Sequence, residues 1–152
     1  DVSNVRRPNE KRGYGLNLEQ RLTADLGLFA RRSWNDGQTE MYSYTEVERS
    51  AQAGLSLAGG RWGRPDDTFG LALVRNGLSP EHQAYLAAGG TGFLVGDGRL
   101  NYRPEQLTEA YYSLAVAKAA WLTFDYQRVA NPAYNADRGP VNIYGLRVHT
   151  EF

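Results

Sequence analysis

The sequence predicts an all-β protein whose antiparallel strands span a membrane. Apolar and polar residues alternate with period two in runs of about ten residues, and turn-forming residues separate the runs. No apolar run approaches the ~20 residues that a transmembrane helix needs. Tilted strands of about ten residues cross a bilayer with one face toward hydrocarbon and the other toward water, which is the pattern these runs show.

Seven runs alternate in this way, and the last is the clearest. From Tyr144 to Phe152 every second residue is apolar or aromatic for the most part, while the residues between them are small or charged. The other six predicted strands have apolar series that begin at Tyr14, Leu26, Ala51, Phe69, Tyr112 and Ala120. Each run therefore predicts one membrane-spanning strand.

The connections between these runs alternate between short and long. The short ones lie near residues 22–24 and 117–119, with a moderate one at 59–67, and the long ones at 36–46, 78–104 and 130–140. Outer-membrane barrels have short periplasmic turns and longer outer loops, so the C-terminus is expected on the periplasmic side. In the longest connection, Ser79-Pro80-Glu81 predicts the start of a short helix that ends before Gly89-Gly90.

Composition argues against several other functions. Lys+Arg and Asp+Glu are equal at 17 each, so no basic field favours nucleic acid. Cysteine is absent, and His82 and His149 lack the spacing of a metal site or catalytic triad. The glycine-rich stretch 89–98 lacks the flanking elements of a phosphate loop and is expected to be a flexible loop. We expect no catalytic residue, no metal and no cofactor.

Several stretches together resemble one known family. In order and spacing, the stretches 109–112, 120–127, 131–135 and 145–147, followed by Phe152, resemble the end of carbohydrate-selective porins. The stretches 66–72 and 76–79 are similar to the preceding hairpin of that family, and the resemblance covers about residues 10–152. It implies a transmembrane β-barrel of the porin type in the bacterial outer membrane, which passes neutral sugars by passive diffusion.

Seven strands do not by themselves make a stable barrel of this type. An open sheet exposes unpaired N–H and C=O groups that lipid cannot satisfy. Bacterial single-chain barrels mostly have an even number of strands, and wide porins have about 16. We therefore expect residues 1–152 to be the C-terminal part of a single barrel domain, with the remaining strands supplied by the same chain or by a partner.

Because side chains alternate between the two faces of a strand, their positions in each run predict which of them line the pore. Charged side chains of both signs suit weak contacts with sugar hydroxyls, and aromatic side chains suit contacts with the C–H faces of a sugar. Charges that pair with one another across strands would produce the same pattern in any water-filled barrel. The candidate pore-lining residues are Glu19, Arg21, Asp25, Arg31, Glu109, Tyr111, Trp121, Asp125, Gln127, Arg147 and Glu151.

Aromatic residues near the ends of the runs have a different predicted role. Rings at this depth favour the headgroup level of the bilayer, so we expect an aromatic girdle formed by Tyr14, Trp34, Tyr112, Tyr126 and Tyr144. Tyr144 and Phe152 also belong to the amphipathic last strand. Such a strand is suited to capture by strand addition, which predicts recognition by the barrel-assembly machinery. Outer-membrane lipid is the other expected partner, and a homo-oligomer is left open.

Three alternatives stay open at this point. The barrel could be a non-conducting structural part of a larger envelope assembly, for which a partner would supply the missing strands. A soluble lipocalin-like barrel would place the apolar series inside, but it does not require tyrosines at the strand ends. A hydrolase barrel would need a catalytic group, and Ser79 and Ser113 have no supporting neighbours in the sequence.

Overall fold

A computed structural model of the protein describes residues 8–39 and 46–152. Seven antiparallel strands form one sheet in chain order, which confirms the predicted fold class. The strands are β1 (Gly13–Arg21), β2 (Leu26–Asn35), β3 (Arg49–Ala58), β4 (Thr68–Gly77), β5 (Glu105–Ala117), β6 (Ala120–Ala130) and β7 (Val141–Thr150). Each of them coincides with one of the predicted runs.

The strand register makes one face of the sheet apolar. Directly paired residues share a face, and the register joins Leu18, Ala30, Ala53 and Leu73 in a single line across four strands. On the other half of the sheet, Phe124 pairs with Leu146 on the same face. Many of these side chains are exposed, among them Leu18 at 64% and Leu146 at 66%. An apolar surface of this extent is suited to hydrocarbon, and we call it the lipid face.

The opposite face, which we call the polar face, carries the alternate residues of each strand. The strands are joined at one end by residues 22–25, 59–67 and 118–119, and at the other by residues 36–48, 78–104 and 131–140. We call these the short-turn end and the long-loop end. The predicted alternation of short and long connections is therefore confirmed.

The buried apolar residues lie in the long connections and not on the sheet. Leu78, Leu86, Val95 and Tyr134 form the buried cluster, and Leu100, Tyr102 and Ala133 pack against it. The Tyr134 hydroxyl donates to the backbone oxygen of Glu46 at 2.6 Å, and burial raises the pKa of this tyrosine above its ordinary value. The loops thus have a hydrophobic core of their own, which fixes their position at one end of the sheet.

The predicted loop helix is present as α1 (Pro80–Ala87). Ser79 caps it, because its hydroxyl oxygen accepts the His82 backbone N–H at 3.1 Å, and Pro80 occupies the first turn, where no N–H is needed. Within the part of the chain that the structure describes, no helix has the length and apolarity to cross a membrane.

At the short-turn end, Asp67 joins the turn before β4 to strand β5. Its carboxylate accepts hydrogen bonds from Arg64 Nε at 2.5 Å and Nη2 at 3.1 Å, from the Tyr112 hydroxyl at 2.5 Å and from the Ala115 backbone N–H at 2.9 Å. Trp62 Nε1 in turn donates to the Tyr112 hydroxyl at 2.9 Å. Asp67 is 1% exposed, so a buried carboxylate with four donors holds this turn in place.

Candidate functional site on the polar face

Most of the candidate pore-lining residues lie within strands on the polar face. The register pairs Glu109 with Gln127, and Tyr111 with Asp125, on strands β5 and β6. On β1 and β2, Glu19 pairs with Phe29. The predicted residues that the structure brings to this face inside strands are Glu19, Arg31, Glu109, Tyr111, Trp121, Asp125, Gln127 and Arg147.

Three other candidates lie at or beyond strand ends. Arg21 is the last residue of β1, where it pairs with Gly27 and lines the first depression described below, and its guanidinium donates to the backbone oxygens of Thr23 and Ala24 in the following turn. Asp25 belongs to that turn, and Glu151 follows the end of β7, with its carboxylate 3.3 Å from His149 Nε2. The alternation of side chains between the two faces holds only inside a strand. Asp25 and Glu151 lie outside the strands, so the alternation does not assign them to the polar face, which we also call the wall.

The first depression on the polar face, of about 500 Å³, is lined by residues of the five strands β1 to β5. Arg31 Nη2 lies 3.1 Å from Glu19 Oε1, and Arg31 Nε donates to Asn17 Oδ1 at 2.9 Å. The Arg31 guanidinium carbon is also 5.2 Å from the centre of the Phe29 ring. These contacts fix the guanidinium against the wall, while roughly half of each charged side chain stays open to solvent.

Two aromatic rings lie against glycines of neighbouring strands. Phe29 pairs with Gly54, where an added Cβ would lie 2.4 Å from Phe29 Cε1. Tyr111 pairs with Gly70, where an added Cβ would lie 2.1 Å from Tyr111 Cε1. The absence of a side chain at each glycine lets the paired ring lie over the strand. Both rings therefore form part of the surface of the wall.

Sequence reasoning missed Phe29 as a member of this site. It has the parity of the polar face, but only polar, charged or tryptophan and tyrosine side chains were selected there. The available signal was Gly54 in the middle of the next alternating run, because a glycine in a strand often marks the close approach of a bulky group. Register was needed to connect the two residues.

A second depression, of about 450 Å³, adjoins the first and shares Glu109 and Tyr111 with it. It is also lined by Asp125, Gln127 and Arg147. Gln127 Nε2 donates to Asp125 Oδ2 at 3.1 Å, and Gly145 directly opposite Asp125 leaves room for the carboxylate. The two depressions together form a surface of both charge signs with Tyr111 between them.

Trp121 lies apart from this surface. It pairs with His149 near the short-turn end, with ring centres 5.6 Å apart, and it lines neither depression. The structure thus brings most of the predicted wall residues together and leaves Trp121 at the periphery.

The side chains on this surface can bind a ligand that has hydroxyl and C–H groups. Carboxylates of Glu109 and Asp125 can accept hydroxyl hydrogens, the guanidiniums of Arg31 and Arg147 can donate, and aromatic faces can receive C–H groups. Among residues 8–39 and 46–152, no group of three or more His, Asp or Glu side chains could hold a metal ion.

The predicted girdle aromatics lie in pairs at the two ends of the lipid face. Tyr14 stacks on Trp34 at 5.7 Å, and Tyr126 lies 5.3 Å from Tyr144, both toward the long-loop end. Tyr112 lies 6.2 Å from Trp62 at the short-turn end. The separation between these levels is consistent with two headgroup regions on either side of an apolar band.

Comparison with protein families gives one finding that covers the whole chain. The family described as carbohydrate-selective porin, OprB family, matches residues 1–152. Comparisons with curated proteins and with solved structures give no significant match.

Proposed function

Because the chain belongs to the carbohydrate-selective porin family, we propose that it forms part of the wall of a channel through which neutral sugars diffuse passively across the bacterial outer membrane. This is a family of channels and not of enzymes. The observation that carries the proposal is the pair of adjoining depressions on the polar face, where Phe29 and Tyr111 lie over glycines between charges of both signs.

The mechanism follows from how weakly such a wall holds a sugar. A sugar has a C–H face that an aromatic ring can contact and hydroxyls that carboxylates and guanidiniums can bind. Conduction requires binding sites that hold the sugar strongly enough for it to enter the pore and weakly enough for it to leave. Several weak sites in series satisfy both conditions. Zero net charge and mixed signs on the wall favour a neutral solute over an ion. No energy coupling is needed.

A closed pore requires more strands than those described here. β1 and β7 are the two ends of the strand order, and each pairs with one neighbour among the described residues. Unpaired edges are costly in lipid, so we propose that both edges pair with further strands of the same barrel or of a partner chain.

Replacing Tyr111 by alanine is expected to weaken block of the open channel by sugar about twofold to tenfold, since an aromatic contact contributes roughly 0.5–1.5 kcal/mol and 1.4 kcal/mol is tenfold. The measurement is single-channel conductance of the intact protein in planar bilayers, with maltose or glucose added in steps. The dissociation constant of the block is compared between the wild-type protein and the variant.

Tyr126→Ala is the matched control, because Tyr126 lies on the lipid face one strand away and its hydroxyl donates to Asn142 Oδ1 at 3.0 Å. It should leave sugar block unchanged. Equal block in wild type and Tyr111→Ala would remove this ring from the sugar path. Insertion of the intact protein without any conductance would overturn the channel itself and favour a structural barrel component.

Deletion of Phe152 is expected to slow barrel assembly strongly while leaving the folded barrel as stable as before. Phe152 lies just beyond β7 and is fully exposed, so its loss removes no packing, and Tyr144 on the same strand is 79% exposed. We propose that the assembly machinery captures this strand by edge pairing. The test measures the amount of membrane-inserted protein in cells, beside refolding of the purified protein in detergent. Unchanged insertion in cells would contradict the proposed signal.

A further inference from the structure

Three arginines lie close together on the lipid face near the long-loop end. Arg32 of β2 and Arg75 of β4 both pair with Ala51 of β3, and Arg49 of β3 pairs with Trp34. Strands lie about 4.8 Å apart and successive residues on one face of a strand about 6.8 Å apart, so these side chains begin within about 10 Å of one another. All three are exposed.

No acidic side chain neutralises these arginines in the described part of the chain. The ion pairs among residues 8–39 and 46–152 involve none of the three. Positive charges at such short separation repel one another, most strongly where little water screens them. A cluster of this kind on a membrane-facing surface therefore favours an anion from outside the sheet.

The surface around the arginines is concave and has an apolar continuation. A depression of about 480 Å³ contains Arg32, Arg49 and Arg75 together with Trp34 and Tyr102. Further toward the middle of the strands, the lipid face has an almost entirely apolar depression of about 540 Å³. Its lining includes Leu28, Ala30, Ala53, Leu55, Leu71 and Leu73.

The arginine-lined depression and the apolar depression lie next to each other on the lipid face because of the register between β2 and β3. Ala30 and Ala53 pair directly, and they lie two residues along the strands from Arg32 and Ala51. Their small side chains leave a furrow in the lipid face directly below the arginine cluster. A cationic site at headgroup depth thus continues into a furrow at hydrocarbon depth.

We propose that Arg32, Arg49 and Arg75 bind the phosphorylated headgroup of an outer-leaflet membrane lipid, with one acyl chain of that lipid in the furrow at Ala30 and Ala53. Arginine matches phosphate oxygens with two parallel N–H donors, and a site of several arginines can surround one phosphate. The long-loop end is the outer side of such barrels, which places the cluster at the outer leaflet. This inference rests on the membrane orientation proposed above and not on sugar passage.

Arg128 is the control that distinguishes a specific lipid site at the three arginines from the general attraction between an interfacial arginine and lipid phosphate. It lies on the same face near the same end, on β6, but its directly paired neighbours are Thr108 and Asn142. It therefore lacks a second arginine beside it and does not line the depression of the cluster. A general attraction between interfacial arginines and lipid phosphate would affect Arg128 and Arg75 equally.

The test measures lipid retention by the intact protein in detergent, by native mass spectrometry and by titration. The probes are bisphosphorylated lipid A, the same lipid with its phosphates removed, and inorganic phosphate. Arg32→Gln/Arg49→Gln/Arg75→Gln should weaken lipid A binding at least tenfold, since one hydrogen bond to a charged group contributes enough for about a tenfold change. Arg75→Gln alone should weaken it several-fold, and Arg128→Gln less than twofold.

The dephosphorylated lipid should bind as weakly to the wild-type protein as lipid A binds to the triple variant, and inorganic phosphate should not displace lipid A at equal concentration. Equal retention by the wild-type protein and Arg75→Gln overturns the proposal, and so does an equal loss in Arg128→Gln. A change of oligomeric state without a change in lipid binding would assign the arginines to a contact between copies and also overturn it. Sugar block measured on the same preparations reports the channel function separately.

Discussion

Asp67→Ala is expected to lower the thermal stability of the barrel by several degrees, which is more than any other single substitution in the turn between β3 and β4. The side chain of Asp67 is almost fully buried and accepts four hydrogen bonds, from two nitrogens of Arg64, the Tyr112 hydroxyl and the Ala115 N–H. Removing the carboxylate takes this acceptor from the Tyr112 hydroxyl and the Ala115 N–H and leaves Arg64 with the Ala115 backbone oxygen, and donors that lose their acceptor in a buried turn are costly. Thermal unfolding in detergent, followed by circular dichroism, measures the effect.

The neighbouring Asp66 is the matched control for this substitution. It is exposed in the same turn, so Asp66→Ala removes the same charge without removing a buried acceptor, and its effect should be small. Similar unfolding temperatures for the two variants would mean that Asp67 does not hold the turn.

The same carboxylate should make stability depend on acid pH. Hydrogen bonds from Arg64, and then from Tyr112 and Ala115, lower the pKa of Asp67 from its ordinary 3.8 to about 2. A lowered pKa means that the contribution to stability is fully present above the ordinary value and is lost as the pH falls from about 4 toward about 2. Asp67→Asn should flatten this part of the stability profile, while Asp66→Asn should leave it in place.

The strands and the loop helix could be predicted from sequence because lipid and water impose local rules. A strand between two such solvents must alternate, and this is visible in each run by itself. The start of α1 was equally local, since Ser79 and Pro80 satisfy the first turn of a helix without help from distant residues.

The features that were not predicted depend on pairings between distant residues. Phe29 became part of the wall because Gly54 lies opposite it in β3, and Arg32 joins Arg75 only through their common partner Ala51. The loop core likewise brings Tyr134 to the backbone of Glu46, which is 88 residues away in the sequence. Alternation within one run carries no information about register, so neither the ring on the wall nor the arginine cluster could be recognised before the strands were paired.

His82→Ala is expected to release the long loop that contains α1. His82 lies between two buried carboxylates, with Nε2 2.8 Å from Glu46 Oε2 and Nδ1 3.2 Å from Glu48 Oε1. The Glu48 carboxylate also accepts a hydrogen bond from the Ser79 backbone N–H at 3.1 Å. Because Glu48 directly precedes β3, this bond connects the start of the helix to the start of that strand. Loss of the imidazole leaves two buried carboxylates near each other, and breaking a buried pair costs about 3–5 kcal/mol.

Hydrogen exchange of the amides in α1, corrected for the intrinsic pH dependence of exchange, measures this release. Protection in the helix should fall by orders of magnitude in His82→Ala and stay unchanged in His149→Ala, which removes an exposed histidine at the other end of the sheet. Equal protection in both variants would show that the loop core of Leu78, Leu86, Val95 and Tyr134 holds the helix without the buried ion pairs.

The wild-type loop should also respond to a rise in pH. The hydrogen bond with Glu48, together with the negative charges of Glu48 and Glu46, raises the pKa of His82 above its ordinary 6.5, against the opposing effects of burial and of Lys11. The contribution of a group with a raised pKa is fully present below the ordinary value and is lost as the pH rises through the raised one. Helix protection should therefore decrease as the pH rises above the ordinary 6.5 and through the raised pKa of His82 in the wild-type protein, whereas His82→Gln should show no such decrease. Since α1 lies at the long-loop end of the sheet, we expect conductance noise from loop opening to increase over the same pH range. A constant noise level through that range would show that the order of this loop does not gate the channel.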